Sequence, residues 1–423
     1  MAPPGETEHL DYSMGDNNDQ SVLLTLSGGG YRAMLFHVGA LWKLNEIGEL
    51  RRLAHISSVS GGSVVAGVLA MNWPRLEFAK GVATNFRDLV ADPLMRLARR
   101  TLDVPAGVSG LIPFWSAART MEYLYKRLLF GKTTLVNLPE SPRFTFNSTN
   151  LQTGALWTFE RETMGDETLG ALPAASVPLA RAVAASSAFP PFLAPLVLRP
   201  RGVTWRPYPN NFSSLRSYDN LAIRVAEVPQ GKLDCFRRRV VLVDGGVADN
   251  LGVLPVWASE GDLYESDGGG GSRPHPRPAH NWLCQLIRIV SLIHEQPSQL
   301  RANRSKAEMA DRDQGGSKGR SPRVKGDGAV WNMHWPPASH KKRPTFPPRQ
   351  KADWAHLAEI PTRLKAMSPE RQMQLINWGY IACNRSLPYV NRLFFVGAFE
   401  SAFEESLPFP EARMGNLDTS CPL

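Results

Sequence analysis

Two glycine-marked turns near the start of the chain constrain its fold more than any other feature. Each turn lies between an apolar run typical of a buried strand and a stretch with the pattern of a helix. The strands are expected at residues 21–26 and 53–59, the turns at 27–30 and 58–63, and the helices at 33–45 and 61–71. A strand, a turn and a helix that occur twice in succession predict a parallel sheet covered by helices, so the sequence indicates an α/β fold.

The rest of the chain extends this pattern, so that residues 21–400 are expected to form one domain. Further helices are expected within 85–131 and at 178–187, 360–367 and 369–383, and further strands at 144–148, 156–160, 240–243 and 286–293. Segments rich in Gly, Ser and Pro predict disordered insertions near 265–278 and 313–350. Residues 1–20 carry five acidic and no basic side chains and predict a disordered acidic tail, and residues 401–423 predict a C-terminal tail.

Composition excludes several classes of protein. The acidic start lacks the basic and apolar parts of a secretory signal. The longest uncharged apolar stretch, residues 182–198, contains three prolines and is too short for a membrane span. Four scattered cysteines without CxxC spacing favour neither a disulfide framework nor a zinc site, and no other metal-ligand pattern is apparent. We therefore expect a cytoplasmic protein without a transmembrane helix, a metal or a cofactor.

The positive charge is concentrated in one segment. Residues 301–351 contain thirteen basic and four acidic side chains, which accounts for the whole formal charge of +9. A local basic patch is typical of proteins that contact an anionic surface, either membrane lipid or nucleic acid. A solvated loop without a partner is an equally valid interpretation of this segment.

A second candidate for a membrane contact lies in the helical region. Residues 104–115 have few polar side chains and follow Arg96, Arg99 and Arg100. Apolar residues beside a basic cluster suit shallow insertion into a lipid interface. Packing of the same residues inside a helical cap would explain the pattern equally well.

The two turns carry residue types that acyl transfer requires. Ser60 lies in a small-x-Ser-x-Gly arrangement, which allows a sharp turn that raises the hydroxyl above the sheet. The backbone amides of Gly28, Gly29 and Gly30 have no side chains beside them that could block a developing oxyanion. A dinucleotide-binding turn is the competing interpretation, but it expects an acidic residue at the end of the next strand, where this chain has Ser58.

A serine nucleophile needs a base, and Asp244 is the first candidate. It ends an apolar run and precedes Gly245, so we expect its carboxylate at the sheet edge that carries Ser60. It could accept the serine proton directly. The chain order also permits a triad that includes His294 or His334, although His294 could equally be a core residue. His37 is expected to pack or cap and not to take part in catalysis.

Taken together, these motifs resemble those of the patatin-like phospholipase family. Residues 27–33, 58–63 and 244–252 are similar, in this order, to its glycine-rich oxyanion loop, its serine elbow and its Asp-Gly-Gly motif. Four other stretches are similar to bacterial members, at residues 146–154, 184–191, 360–364 and 375–380. Three motifs in the right order are far more specific than any one of them.

The resemblance implies a three-layer α/β/α fold with a mainly parallel central sheet and a helical cap region. It also implies a serine lipid acyl hydrolase in which Ser60 is the nucleophile and Asp244 the base, without a metal or cofactor. The remaining implied site residues are the oxyanion-hole glycines Gly28, Gly29 and Gly30 and the supporting residues Arg32, Gly62, Gly245 and Gly246. The chain departs from the family pattern at Ser58, Ser27 and Ala33, none of which is a reacting group.

The implied partners are a phospholipid or lysophospholipid substrate and, transiently, the membrane surface to which the protein would bind peripherally. A nucleic-acid partner is disfavoured. Two alternatives to a phospholipase remain open. One is a thioesterase or neutral-lipid esterase with the same two side chains, and the other is a catalytically idle scaffold that binds lipid or nucleic acid through the basic segment.

Overall fold

The computed structural model describes residues 21–110, 116–209, 228–257, 259–269, 328–334, 356–387 and 407–412. Its strands are β1 Val22–Leu26, β2 Leu53–Val59, β3 Phe78–Ala79, β4 Val82–Ala83, β5 Arg143–Asn150, β6 Leu156–Phe159, β7 Thr163–Asp166, β8 Gly170–Pro173, β9 Leu196–Leu198, β10 Val240–Asp244, β11 Asp262–Asp267 and β12 Gly328–Asn332. Its α-helices are α1 Gly30–Glu46, α2 Gly61–Asn72, α3 Asp92–Ala98, α4 Asp103–Ser109, α5 Ala117–Tyr125, α6 Leu179–Ser186, α7 Leu233–Arg237, α8 Gly246–Asp249 and α9 Pro369–Ser386.

The central sheet is built around five parallel strands in the order β12-β11-β1-β2-β5. Strands β6, β7 and β8 extend it as an antiparallel meander, and the β9–β10 pair joins through β5. The α/β class with a mainly parallel central sheet is therefore confirmed. The two predicted strand-turn-helix units correspond to β1–α1 and β2–α2.

Alternate residues of β1 face two separate apolar cores. Val22, Leu24 and Leu26 belong to the larger core, which includes the apolar side chains of α1, α2, α6 and α9. Leu23 faces the opposite side, where it packs with Leu263 and apolar residues of 248–257. Because side chains alternate along a strand, both faces of the sheet are buried, as expected for a parallel sheet between layers.

Helix α1 packs closely against α9 through one glycine from each helix. A Cβ atom at Gly39 would overlap the carbonyl oxygen of Ile376, and one at Gly379 would overlap the carbonyl oxygen of Phe36. Only glycine allows the two backbones to approach this far. Since α1 begins at Gly30, this contact anchors the helix that follows the first glycine turn.

Three sequence predictions need correction. The insertion predicted near 265–278 begins later, because Asp262–Asp267 forms β11, and the one predicted near 313–350 contains β12. Residues 360–367 are not helical. Strand β11 was missed because its buried residues Glu265 and Ser266 are polar, so the segment lacks an apolar pattern. The strand predicted at 286–293 lies outside the described residues.

Candidate active site

The register of the sheet brings Ser60 and Asp244 together. Strands β2 and β10 pair with the same edge of β5, from opposite directions, and their carboxyl ends meet. Val59 lies opposite Asn147, and Asp244 lies opposite the next residue, Ser148. Ser60 follows Val59, and its side chain lies close enough to the Asp244 carboxyl group to lower the pKa of that group. The prediction that Ser60 and Asp244 meet at one edge of the sheet assumed that their strands are parallel. In the structure β10 is antiparallel to β5, whereas β2 is parallel to it, so that β10 and β2 meet at their carboxyl ends.

Ser60 occupies a strained backbone conformation between β2 and α2. Its φ of 50° and ψ of −116° are disfavoured for a residue with a side chain, and such geometry costs on the order of 1–3 kcal/mol. The Ser60 N–H donates to Ser186 Oγ at 2.9 Å, and the Ser63 hydroxyl bonds to both Ser186 and Ser58. This buried hydroxyl cluster holds the turn and explains how Ser58 is accommodated in place of a glycine.

Glycines allow three backbone segments to converge around the serine. A Cβ atom at Gly62 would overlap the Leu26 carbonyl oxygen, one at Gly61 would overlap that of Gly30, and one at Gly245 would overlap the backbone of β5. The two turns and the end of β10 therefore lie in direct backbone contact. The predicted supporting glycines Gly62 and Gly245 lie at this contact.

The Asp244 carboxyl group is almost completely buried, with 2% of the residue exposed. Burial raises its pKa to about 7. The Gly246 N–H, which donates to the carboxylate at 2.8 Å, and the neighbouring Ser60 side chain offset part of that rise. A pKa near the working pH suits a group that must accept and return a proton. The predicted supporting residue Gly246 thus contacts the carboxylate through its amide.

The first glycine turn lies directly beside the serine. A Cβ atom at Gly28 would lie 3.3 Å from Ser60 Cβ and 2.5 Å from Asn250 Oδ1. The Gly28 N–H donates to the Asn250 carbonyl oxygen at 3.1 Å, so it is already engaged. Within the described residues, the N–H groups of Gly29 and Gly30 make no such hydrogen bond. Both have positive φ, at 147° and 62°, which glycine adopts without strain.

Asp267, which the sequence did not indicate, holds the outer side of this turn. Its carboxylate accepts a hydrogen bond from the Gly269 N–H at 2.9 Å, and the nearby Ser27 side chain lowers the pKa of that carboxylate. The Gly268 N–H in turn donates to Ser27 Oγ at 2.9 Å. Burial raises the pKa of Asp267. The end of β11 therefore clamps the residue that precedes the three glycines.

A second chain of hydrogen bonds fixes the Ser27 carbonyl group. Trp331 Nε1 donates to Ser266 Oγ at 2.8 Å, which leaves the Ser266 hydroxyl to donate to His37 Nδ1 at 2.8 Å. His37 Nε2 then donates to the Ser27 oxygen at 3.0 Å. Burial lowers the pKa of His37 to about 4, so the ring is neutral near pH 7. Both ring nitrogens are engaged with Ser266 and Ser27, which agrees with the expectation that His37 packs or caps and takes no part in catalysis.

Arg32 is buried and joins the turn to the C-terminal part of the chain. Its guanidinium donates to the carbonyl oxygens of Gly268, Ala358 and Ile360 and to Thr362 Oγ1. The structure thus gives this predicted supporting residue a role in holding the segments around the turn.

Of the two histidines that the sequence offered for a triad, His294 lies outside the described residues. His334 lies near Asp267, whose pKa it lowers, and is not among the groups that affect the pKa of Asp244. Among the described residues, no group of three or more His, Cys, Asp or Glu side chains is placed to hold a metal ion. No helix in that part of the chain combines the length and apolar character needed to cross a bilayer.

The end of β1 leads into the glycine turn, the end of β2 leads into a serine with a strained backbone, and β10 ends in a buried carboxylate. Nucleophilic acyl transfer requires groups of these kinds. The model of the patatin-like phospholipase family matches residues 24–257, more than half of the chain. The chain therefore belongs to the patatin-like phospholipase family.

Solved structures to which the chain is similar include human GIVD cytosolic phospholipase A2, at 13% identity and a TM-score of 0.47. The match covers 89% of this chain and 60% of that one. VipD from Legionella pneumophila is 15% identical with a TM-score of 0.30, covering 85% of this chain and 67% of that protein. No match was found among curated proteins.

Proposed function

We propose that this chain is a serine acyl hydrolase that cleaves carboxylic ester bonds of phospholipids or lysophospholipids. The observation that carries the proposal is the position of the Ser60 side chain beside the buried Asp244 carboxyl group, next to the glycine turn of residues 28–30. Membership of the patatin-like phospholipase family supports the lipid substrate.

In the proposed acylation step, Asp244 takes the hydroxyl proton as Ser60 Oγ attacks the ester carbonyl carbon. The negative charge that develops on the carbonyl oxygen is stabilised by the N–H groups of Gly29 and Gly30. When the tetrahedral intermediate collapses, the bond to the leaving oxygen breaks, and the Asp244 carboxyl returns its proton to that oxygen. The products are an acyl ester on Ser60 and a lysolipid or glycerol-phosphate alcohol.

In the proposed deacylation step, water replaces the alcohol. Asp244 accepts a proton from the water as the water oxygen attacks the carbonyl carbon of the acyl ester. The same glycine amides stabilise the second oxyanion. The proton then returns to Ser60 as the fatty acid leaves. One carboxylate therefore serves as base and acid in each half of the reaction, without a histidine.

Labelling with an alkyl fluorophosphonate, followed by mapping of the modified peptide, tests the proposal. We expect modification of Ser60 in the parent chain and none in Ser60→Ala, with Asp244→Asn strongly slowed. Ser109→Ala is the control, because Ser109 lies on α4 and bonds to Ala106 and Thr120, away from the turn that carries Ser60. Below about pH 7, labelling should slow about tenfold per pH unit as Asp244 becomes protonated.

Full ester hydrolysis by Ser60→Ala would contradict the proposal. The substrate class is tested separately with phospholipid, lysophospholipid, triacylglycerol and acyl-thioester substrates. We expect the two phospholipid classes to be hydrolysed fastest. A preference for the thioester or the triacylglycerol would replace the phospholipase with a thioesterase or a neutral-lipid esterase that uses the same residues.

A further inference from the structure

Three exposed arginines lie close together at the end of α3. Arg96, Arg99 and Arg100 are all exposed, and within the described chain none of them forms an ion pair. The acidic residue nearest to them in sequence on the C-terminal side, Asp103, is paired with Arg363, whose Nε lies 2.7 Å from its carboxylate. The local positive charge is therefore not neutralised by that acid.

The helix that follows exposes apolar side chains. Val104 and Val108 are 50% and 62% exposed and, four residues apart on α4, lie on the same helix face. Ala106, between them, is fully buried, so the helix packs through its other face. Single exposed valines are common on protein surfaces. A pair of exposed valines that directly follows three arginines without an ion pair in the described chain is a stronger indication of a binding surface than a single exposed valine.

This surface borders the glycine turn of the candidate active site. The Tyr31 hydroxyl donates to the Arg100 carbonyl oxygen at 2.9 Å, and Tyr31 is the second residue of α1. The Leu102 N–H donates to the Leu364 carbonyl oxygen at 2.8 Å, while the neighbouring Arg363 carbonyl accepts from the Tyr31 N–H at 3.1 Å. These hydrogen bonds connect the backbone of residues 100–102 to the first turn of α1, which follows Gly29.

We propose that Arg96, Arg99, Arg100, Val104 and Val108, here called the arginine–valine patch, bind the surface of an anionic phospholipid bilayer. Positive charge attracts anionic headgroups, and the valines can leave water among the acyl chains. Nucleic acid would satisfy the arginines alone, because exposed valines gain nothing from a phosphate backbone. This proposal rests on the proposed function, because binding to a bilayer would bring the candidate active site to its lipid substrate.

Vesicle co-sedimentation tests the patch without any need for catalysis. The full chain carrying Ser60→Ala is mixed with phosphatidylcholine vesicles that contain or lack phosphatidylglycerol. Each arginine near an anionic surface contributes about 1 kcal/mol, so R96Q/R99Q/R100Q should weaken binding to anionic vesicles by about 100-fold. V104S/V108S should also weaken binding, by an amount that persists at high salt.

The matched control replaces three exposed arginines at the opposite end of β10, with R199Q/R201Q/R239Q. Leu198 pairs with Val240 at the start of that strand, so these arginines lie away from Asp244. Equal binding by the parent and the R96Q/R99Q/R100Q variant would overturn the proposal. It would equally be overturned if the valine variant bound like the parent while the arginine variant lost binding to both vesicles and duplex DNA.

Hydrolysis separates this proposal from the proposed function. In the Ser60 parent, patch variants should lose activity on anionic vesicles but keep activity on a water-soluble short-chain ester. If no ester is hydrolysed while vesicle binding still depends on the patch, the proposed function fails and the patch stands. If hydrolysis of vesicles is unaffected by the patch variants, the patch fails and the hydrolase stands.

Discussion

The raised pKa of Asp244 implies that the carboxylate destabilises the fold, and Asp244→Asn should reveal this. In the folded chain burial raises the pKa to about 7, whereas an unfolded chain has the ordinary value of about 3.9. Between these two values the folded protein holds a proton that the unfolded protein releases. The free energy of unfolding therefore falls as the pH rises through this window, and becomes constant above about pH 7. Asparagine has no proton to lose.

The two pKa values give the size of the effect. Linkage predicts that the ionisation of Asp244 destabilises the fold by about 1.5 kcal/mol at pH 5 and about 4 kcal/mol at pH 8. The stability of Asp244→Asn relative to the parent should therefore increase by about 2.5 kcal/mol between those two pH values. Because the comparison is a difference between two conditions, any pH-independent effect of the amide on packing cancels.

Denaturant unfolding of both proteins at pH 5 and pH 8 measures this difference. The exposed residue Asp234 provides the control, since Asp234→Asn removes a carboxylate that is not buried. A stability difference between Asp244→Asn and the parent that is the same at both pH values would refute the reasoning. The variant should at the same time be slow to react with fluorophosphonate, so that stability and reactivity change in opposite directions.

Two further predictions concern the support of the glycine turn. Asp267→Ala should lower kcat by about 10- to 100-fold with little change in KM, since the oxyanion donors lose their alignment. Asp267→Asn should keep most of the activity of the parent, because the amide oxygen of asparagine can still accept from the Gly269 N–H. An equal loss of activity in both variants would contradict this account. Gly39→Ala should lower the free energy of unfolding by about 3 kcal/mol in denaturant unfolding, since its Cβ overlaps α9. Gly107→Ala, with open space around its Cβ, should be neutral or stabilise by up to about 1 kcal/mol, and equal effects at both glycines would rule out the packing argument.

Local patterns predicted the parts of the site that depend on neighbouring residues in the chain. The strand-turn-helix units around Gly28 and Ser60 were read from apolar runs that end in glycines, and both are present. The proximity of Asp244 to Ser60 was also expected, but through the wrong geometry. Which edge of β5 accepts β10, and in which direction, depends on contacts between residues about 90 positions apart, and no local pattern encodes them.

Asp267 shows why other parts of the site could not be predicted. Strand β11 has polar residues at buried positions, because Ser266 bonds to Trp331 and His37, and the neighbouring Asp267 accepts from the Gly269 N–H. Such partners replace the apolar contacts that a hydrophobicity pattern detects. A buried strand that is stabilised by hydrogen bonds therefore resembles a loop when its sequence is considered alone.

The close contact between α1 and α9 has a consequence for the extent of the functional unit. The family model ends at residue 257, yet the helix that carries the glycine turn is braced by Gly379 and by the carbonyl oxygen of Arg363. More than a hundred residues separate these braces from the end of the family match at residue 257. The smallest fragment able to keep the turn in place must therefore reach the end of α9, and a boundary drawn at residue 257 would remove both contacts.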